Sequence, residues 1–90
     1  MAPQNSDAGG TCTVQGPDGT SNCVVMDGET LADVLRRWHR SADAGMCSEY
    51  EFERMRFFHE DGTTAVASAE LNAPQEGHGS RMVVARLEVY

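Results

Sequence analysis

The chain has no lysine. Its seven basic residues are all arginines, set against fourteen acids, for a formal net charge of −7 over 90 residues. An acidic surface gains no counterion release from a polyanion, so nucleic acid and anionic membrane are excluded as natural partners. The missing lysine fits a GC-rich coding sequence or a salt-adapted source equally well. No run of like charge marks an interaction tail either: residues 1–45 hold six acids and three arginines, residues 46–90 eight acids and four arginines.

Long apolar runs are also absent. The longest, around Met82–Ala85, is far too short to span a bilayer. Residues 1–10 lack a basic n-region and an apolar h-region, so they do not read as a signal peptide, and a cytoplasmic location is expected. These ten residues are rich in Gly, Ser, Asn and Pro and read as a disordered segment. Residues 11–90 read as a single α+β domain with a limited core.

Cysteine is scarce and unpaired in pattern. Cys12, Cys23 and Cys47 form no CxxC motif. Cys12 and Cys23 flank the turn Pro17-Asp18-Gly19. The favoured two-residue hairpin turns need positive φ at their first central residue, which proline cannot adopt. A three-residue bulged loop is therefore expected, pairing Cys12 with Val24 and Thr13 with Cys23. That register puts the two sulfurs on opposite faces and predicts free thiols. Cys12, Val14, Val24 and Met26 would then share one face, and Thr13, Gln15, Ser21 and Cys23 the other.

Metal and catalytic spacings are missing as well. His39, His59 and His78 contain no His-x-x-x-His pair. A zinc site from Cys47, His59 and His78 lacks the paired ligands usual in structural zinc sites. Cys47 as nucleophile with His59 as base would sit just past a helix C-terminus, where the dipole disfavours a thiolate. Gly77-His78-Gly79 reads as a flexible loop; without a following helix it is no phosphate motif. No catalytic residue, metal or cofactor is assigned.

What is present is a scaffold. Thr11–Gln15 and Ser21–Met26 read as a hairpin. Thr30 and Asp33 form a capping arrangement. Leu31, Val34, Leu35, Trp38 and Ala42 follow at helical spacing, so a helix is expected over roughly 31–43, stopped by Gly45. Tyr50–His59 and Thr63–Leu71 read as strands around the turn Glu60-Asp61-Gly62, with Phe57 opposite Ala65. The row Ala65, Ala67, Ala69, Leu71 would let the helix lie close. Tyr50 and Phe52 are out of parity with Met55 and Phe57, which predicts a bulge near Glu53–Arg54. Residues 72–80 read as a loop, and Arg81–Tyr90 as a last strand with Val83, Ala85, Leu87 and Val89 on one side. The expected architecture is an antiparallel sheet in the order β-β-α-β-β-β, with one amphipathic helix on one face.

The hairpin followed by Gly28-Glu29-Thr30-Leu31-Ala32-Asp33-Val34-Leu35 is similar to the opening of β-grasp, ubiquitin-like domains, over about a third of the chain. Carrier members of that family end in Gly-Gly, whereas this sequence ends Glu88-Val89-Tyr90, so no carrier chemistry is implied. The three consecutive strands look more like a meander crossed by a helix.

The surfaces left free carry the functional expectation. Glu49, Glu51 and Glu53 alternate on one predicted strand, with Glu70 across the hairpin, as an acidic sheet face suited to a basic protein surface. Arg36, Arg37 and Arg40 form a helix flank that could take an anion, or be balanced by Asp33 and Asp43. The favoured function is a small, non-catalytic protein-interaction module, such as an inhibitor or regulatory partner of the phage or immunity kind. The alternative is a ligand-binding or enzymatic domain acting as a homo-oligomer. Its pocket would lie between helix and sheet near Trp38, Tyr50, Arg54, Arg56 and His59. An exposed edge strand makes a homodimer conceivable.

Overall fold

A computed structural model describes residues 10–75 and 80–87. Strand β1 (Thr11–Gly16), β2 (Gly19–Val24), helix α1 (Leu31–His39), β3 (Met55–Phe58), a short helix α2 (Ser68–Leu71) and β4 (Ser80–Leu87) follow in order. Two 3-10 segments, Ala42–Glu49 and Phe52–Arg54, lie between α1 and β3. The sheet order is β2-β1-β4-β3. β1 runs antiparallel to β2 but parallel to β4, and β4 runs antiparallel to β3. The sheet is therefore mixed, not purely antiparallel, and β4 sits inside it. A parallel pair at the centre of the sheet rules out the expected meander.

Helix α1 begins as its residues require. The Thr30 hydroxyl accepts from the Asp33 N–H at 3.2 Å, and the Asp33 carboxylate accepts from the Thr30 N–H at 3.1 Å. The Leu31 N–H donates to the Ala73 carbonyl, so the segment before β4 closes over the helix start. The helix ends earlier than expected, at His39. The Ser41 hydroxyl and N–H both donate to the Trp38 carbonyl, at 2.6 and 2.9 Å, and turn the chain away. Ala42 is thus exposed and outside the helix, and Gly45 (φ 58°) serves as a kink within the following 3-10 segment.

The core lies on one face of the sheet. Leu31, Val34, Leu35 and Trp38 of α1 are buried with Cys12 and Val14 of β1, Val83 and Ala85 of β4, and Met55 and Phe57 of β3. Trp38 meets Phe57 edge-on at 6.4 Å between centroids. Gly16 makes room for the indole: a Cβ there would lie 2.9 Å from Trp38 Cζ2. Gly45 has the same kind of role at the domain's end, since a Cβ on it would overlap the Asp18 carboxylate at the hairpin tip.

Three sequence expectations are corrected. The first hairpin closes with two residues, Pro17-Asp18, between Gly16 and Gly19. Neither adopts positive φ, and Gly19 (φ 138°) absorbs the distortion that this turn imposes on the strands. The register is then Cys12 with Cys23, and Thr13 with Asn22. Cys23 points inward with Cys12, while Val24 and Met26 are 60% and 57% exposed. Next, Thr63–Leu71 is not a strand. Asp61 accepts from the N–H groups of Thr63 and Thr64 and from the Thr64 hydroxyl, which coils the turn. Only a single bridge remains, Phe58 to Ala65. Ala65, Ala67 and Ala69 are exposed, so the helix does not lie on them. Finally, the strand from Tyr50 shrinks to Met55–Phe58, because the 3-10 turn Phe52–Arg54 takes the place of the expected bulge. The turn still brings Phe52 against the core and keeps Arg54 and Arg56 out of it. In β4, Val83, Ala85 and Leu87 do share the core side. Residues 1–9, 76–79 (with His78) and 88–90 (with Val89) lie outside the described residues.

Candidate functional site

Among the described residues, helix covers one face of the sheet only. Strand alternation and the observed register set out the rows of the other face. One row is Asn22–Thr13–Met82, the next Thr20–Gln15–Val84–Phe58, and the last Arg86–Arg56. The Thr13 hydroxyl donates to the Asn22 amide oxygen at 2.8 Å. Arg56 and Arg86 stand directly opposite in the register of β3 and β4. Arg86 is turned over the Phe58 ring, 5.3 Å from its centroid. None of these row positions is acidic, although the chain is acid-rich. Two shallow concavities border the rows. One, of about 380 Å³, is lined by Gln15, Gly16, Pro17, Val84, Ala85, Arg86 and Leu87. The other, of about 270 Å³, is lined by Thr13, Glu60, Ser80, Arg81 and Met82.

The acidic residues expected on the sheet lie elsewhere. Glu49, Glu51 and Glu53 sit in and between the two 3-10 segments, exposed and off the sheet. Glu70 is fully engaged instead. Its carboxylate accepts from the Ala67 N–H at 3.1 Å, from Arg81 at 2.9 Å, and meets His59 Nε2 at 3.0 Å. The Ala67 bond first, then His59 and Arg81, hold it below the usual carboxylate range. Arg81 also reaches the buried Gln75 at 3.4 Å, so this network ties α2, the end of β3 and the start of β4 together.

The arginine flank divides into separate tasks. Arg37 donates to both Glu29 carboxylate oxygens, at 3.2 and 2.6 Å, and to the Val24 carbonyl at 2.7 Å. Its balancing acid is therefore Glu29, not Asp33 or Asp43. Arg36 stacks on Phe52 at 5.0 Å, and Arg40 is the exposed C-cap. The pocket expected between helix and sheet is not assembled. Trp38 fills the core, and its indole N–H has no partner among the described residues. Tyr50 is at the surface, where its carbonyl meets His39 Nε2 at 2.6 Å. Arg54 is on the 3-10 turn, Arg56 on the open face, and His59 pairs with Glu70.

Cys47 is buried, and burial pushes its thiol up, with Asp18 adding to the effect. It is not placed as a nucleophile. Among the described residues, no group of three or more His, Cys, Asp or Glu side chains could hold a metal ion. None of the helices is long and apolar enough to cross a membrane.

The residues that matter here, Thr13, Phe58, Met82, Val84 and Arg86, were not singled out by sequence. A signal did exist. Met82–Ala85 is an unbroken apolar run, the mark of a strand buried between neighbours rather than one at an edge. The class these features define is a small α+β domain with a mixed four-stranded sheet, one face of which carries no helix among the described residues. The chain matches no family model, no curated protein and no solved structure.

Proposed function

We propose that this chain is a non-catalytic protein-interaction module that docks through the open face of its sheet. The observation that carries this reading is the make-up of that face. In a chain of net charge −7, the described positions of its rows carry short polar side chains, Phe58, Met82 and Val84, and arginine as their only charged residue, with Glu60 at the border. A merely solvated face of such a chain would share its acids. The partner is a protein surface bearing carboxylates beside apolar contacts, since Arg86 offers a planar donor and Phe58 beneath it an apolar contact. Regulation or inhibition of a larger protein follows from the small size and the lack of a reactive constellation among the described residues.

The test compares two charge reversals. In capture from source lysate, R56E/R86E abolishes retention of the specific partner, while R36E/R40E on the helix flank leaves it intact. Retention should also weaken as salt rises. Equal capture by both variants would overturn this reading. The acidic segment Glu49, Glu51, Glu53 would then become the site, with a basic partner.

A further inference from the structure

Cys12 and Cys23 face each other across the first hairpin. Opposed residues of an antiparallel pair have Cα atoms roughly 4.5–5.5 Å apart. That range lies inside the span of about 4.4–6.8 Å bridged by a disulfide. Both side chains point to the covered face: Cys12 is fully buried and Cys23 half-buried against the core. Cys23, half-buried, also lines a concavity of about 260 Å³ with Asn22, Val24, Arg37, Trp38, Ser41 and Asp43, wide enough to admit a small oxidant beside it. Cys12 has no such opening. Among the described residues β2 is an edge strand, paired only to β1, so it can bring the two sulfurs together without breaking a second described ladder.

We propose that Cys23 and Cys12 form a peroxide-responsive dithiol pair, with Cys23 the attacking thiol and Cys12 the resolving one. The Cys23 thiolate attacks one oxygen of hydrogen peroxide. The O–O bond breaks, Cys23 becomes a sulfenic acid, and hydroxide leaves and takes up the thiol proton as water. The Cys12 thiol then attacks the Cys23 sulfur. The S–O bond breaks, the disulfide forms, and a second water leaves. The two thiols together lose two electrons and two hydrogens, and one peroxide is reduced to two waters. Burial above all, with Asp43 and Glu29, holds the Cys23 thiol above its usual range, and Arg37 offsets part of that. Burial and the neighbouring Cys23 push Cys12 up to about 11, which keeps it a thiol until its partner is oxidised. The reaction is therefore slow at neutral pH and quickens under alkaline conditions. The bond pins the edge strand to β1 and is released by a dithiol reductant.

The full chain is treated with hydrogen peroxide and its intact mass measured. The expected result is a loss of two hydrogens, reversed by dithiothreitol. Cleavage before Asp18 should leave two peptides joined through Cys12 and Cys23, with Cys47 still open to alkylation after unfolding. The oxidised form should melt roughly 5–10 °C higher, because the cross-link constrains the unfolded chain. In C12S, Cys23 should stop at a sulfenic acid trapped by dimedone, and C23S should give no cross-link. Wild-type chain that keeps all three thiols, or that links through Cys47, overturns the proposal. So does C12S in which Cys47 is oxidised as fast as Cys23. These readouts are independent of any partner.

Discussion

The two faces of the sheet are built by the same strands and behave as different materials. On the covered face Cys12, Val14, Val83 and Ala85 pack under α1, and Trp38 is seated on Gly16. On the open face Thr13, Gln15, Met82 and Arg86 occupy the alternate positions of the same two strands. The core cluster lies on the covered face. On the open face Val84 is buried and Phe58 half-buried, while Gln15 and Arg86 are exposed and can change at little cost to folding.

Trp38→Ala should break this contrast most severely. Truncating a fully buried tryptophan costs about 3–5 kcal/mol, comparable to the whole stability of a small domain. Urea denaturation should show a much lower midpoint or an unfolded chain. Trp38→Phe keeps an aromatic ring and removes a buried N–H that has no partner among the described residues, so it should cost far less. Gly16→Ala attacks the same contact from the sheet side. Its Cβ would press on Trp38 at 2.9 Å, an overpacking worth about 1–3 kcal/mol. Thermal melts of Gly16→Ala and Gln15→Ala together would show whether the penalty belongs to the covered side alone.

The faces and turns also divide the pH response. Cys12, Cys23 and Cys47 all have thiols pushed up by burial, Cys12 to about 11 from 9.0. A group raised in the folded state binds its proton more tightly there than in the unfolded chain. Stability should be intact below pH 9 and fall as pH rises toward 11. A Cys12→Ala variant should flatten that decline in alkaline melts. The exposed turns set the acid side. Asp61 is lowered by the Thr64 hydroxyl and by the Thr64 and Thr63 N–H groups, and Asp33 by the Thr30 N–H and hydroxyl. Glu70 is lowered as well. Such groups contribute above their unfolded values, near 3.8 for Asp and 4.5 for Glu, and lose that contribution as pH falls through the folded ones. Asp61→Asn should make the acid limb of a pH–melting profile shallower.

The smallest effect should come from Arg86→Ala. Surface substitutions away from caps and cores lie within about 0.5 kcal/mol. Its melting temperature should stay near that of the wild type while partner capture is lost. A large drop in stability would make the open face a structural surface and remove its claim to recognition.

Local signals were legible where local physics decides. Thr30 and Asp33 cap α1 because their hydrogen bonds span only one turn. Leu31, Val34, Leu35 and Trp38 line one side because a helix repeats every 3.6 residues. Val83, Ala85 and Leu87 share a side because a strand repeats every two. The errors fall where a distant contact outweighs the local preference. Proline in the first turn argued for a three-residue loop, yet Gly16 and Gly19 flank a two-residue one, and Asp18 at its tip docks on Gly45. The alanine row read as a strand, but Asp61 and Glu70 spend their carboxylates on nearby N–H groups and coil the segment. Glu49, Glu51 and Glu53 alternate in sequence yet share no sheet, because the chain around them is 3-10 helical. The candidate site depends on those distant choices, so most of it was illegible.

By itself the sequence determined the buried stripe Leu31, Val34, Leu35 and Trp38, where the helix starts, and that Cys12 and Val14 of β1 and Val83 and Ala85 of β4 face the core. Periodicity and capping are properties of neighbouring residues, and they need no partner to act. Only the tertiary structure decided that β4 inserts between β1 and β3, parallel to the first and antiparallel to the second. That choice brings Val84, Phe58 and Arg86 together on the bare face, and the hairpin register sets Cys12 against Cys23. Strand order is chosen by which arrangement buries the Met82–Ala85 run between two neighbours and still lets Trp38 reach Gly16. Contacts separated by most of the chain make that choice, and no short stretch of residues encodes it.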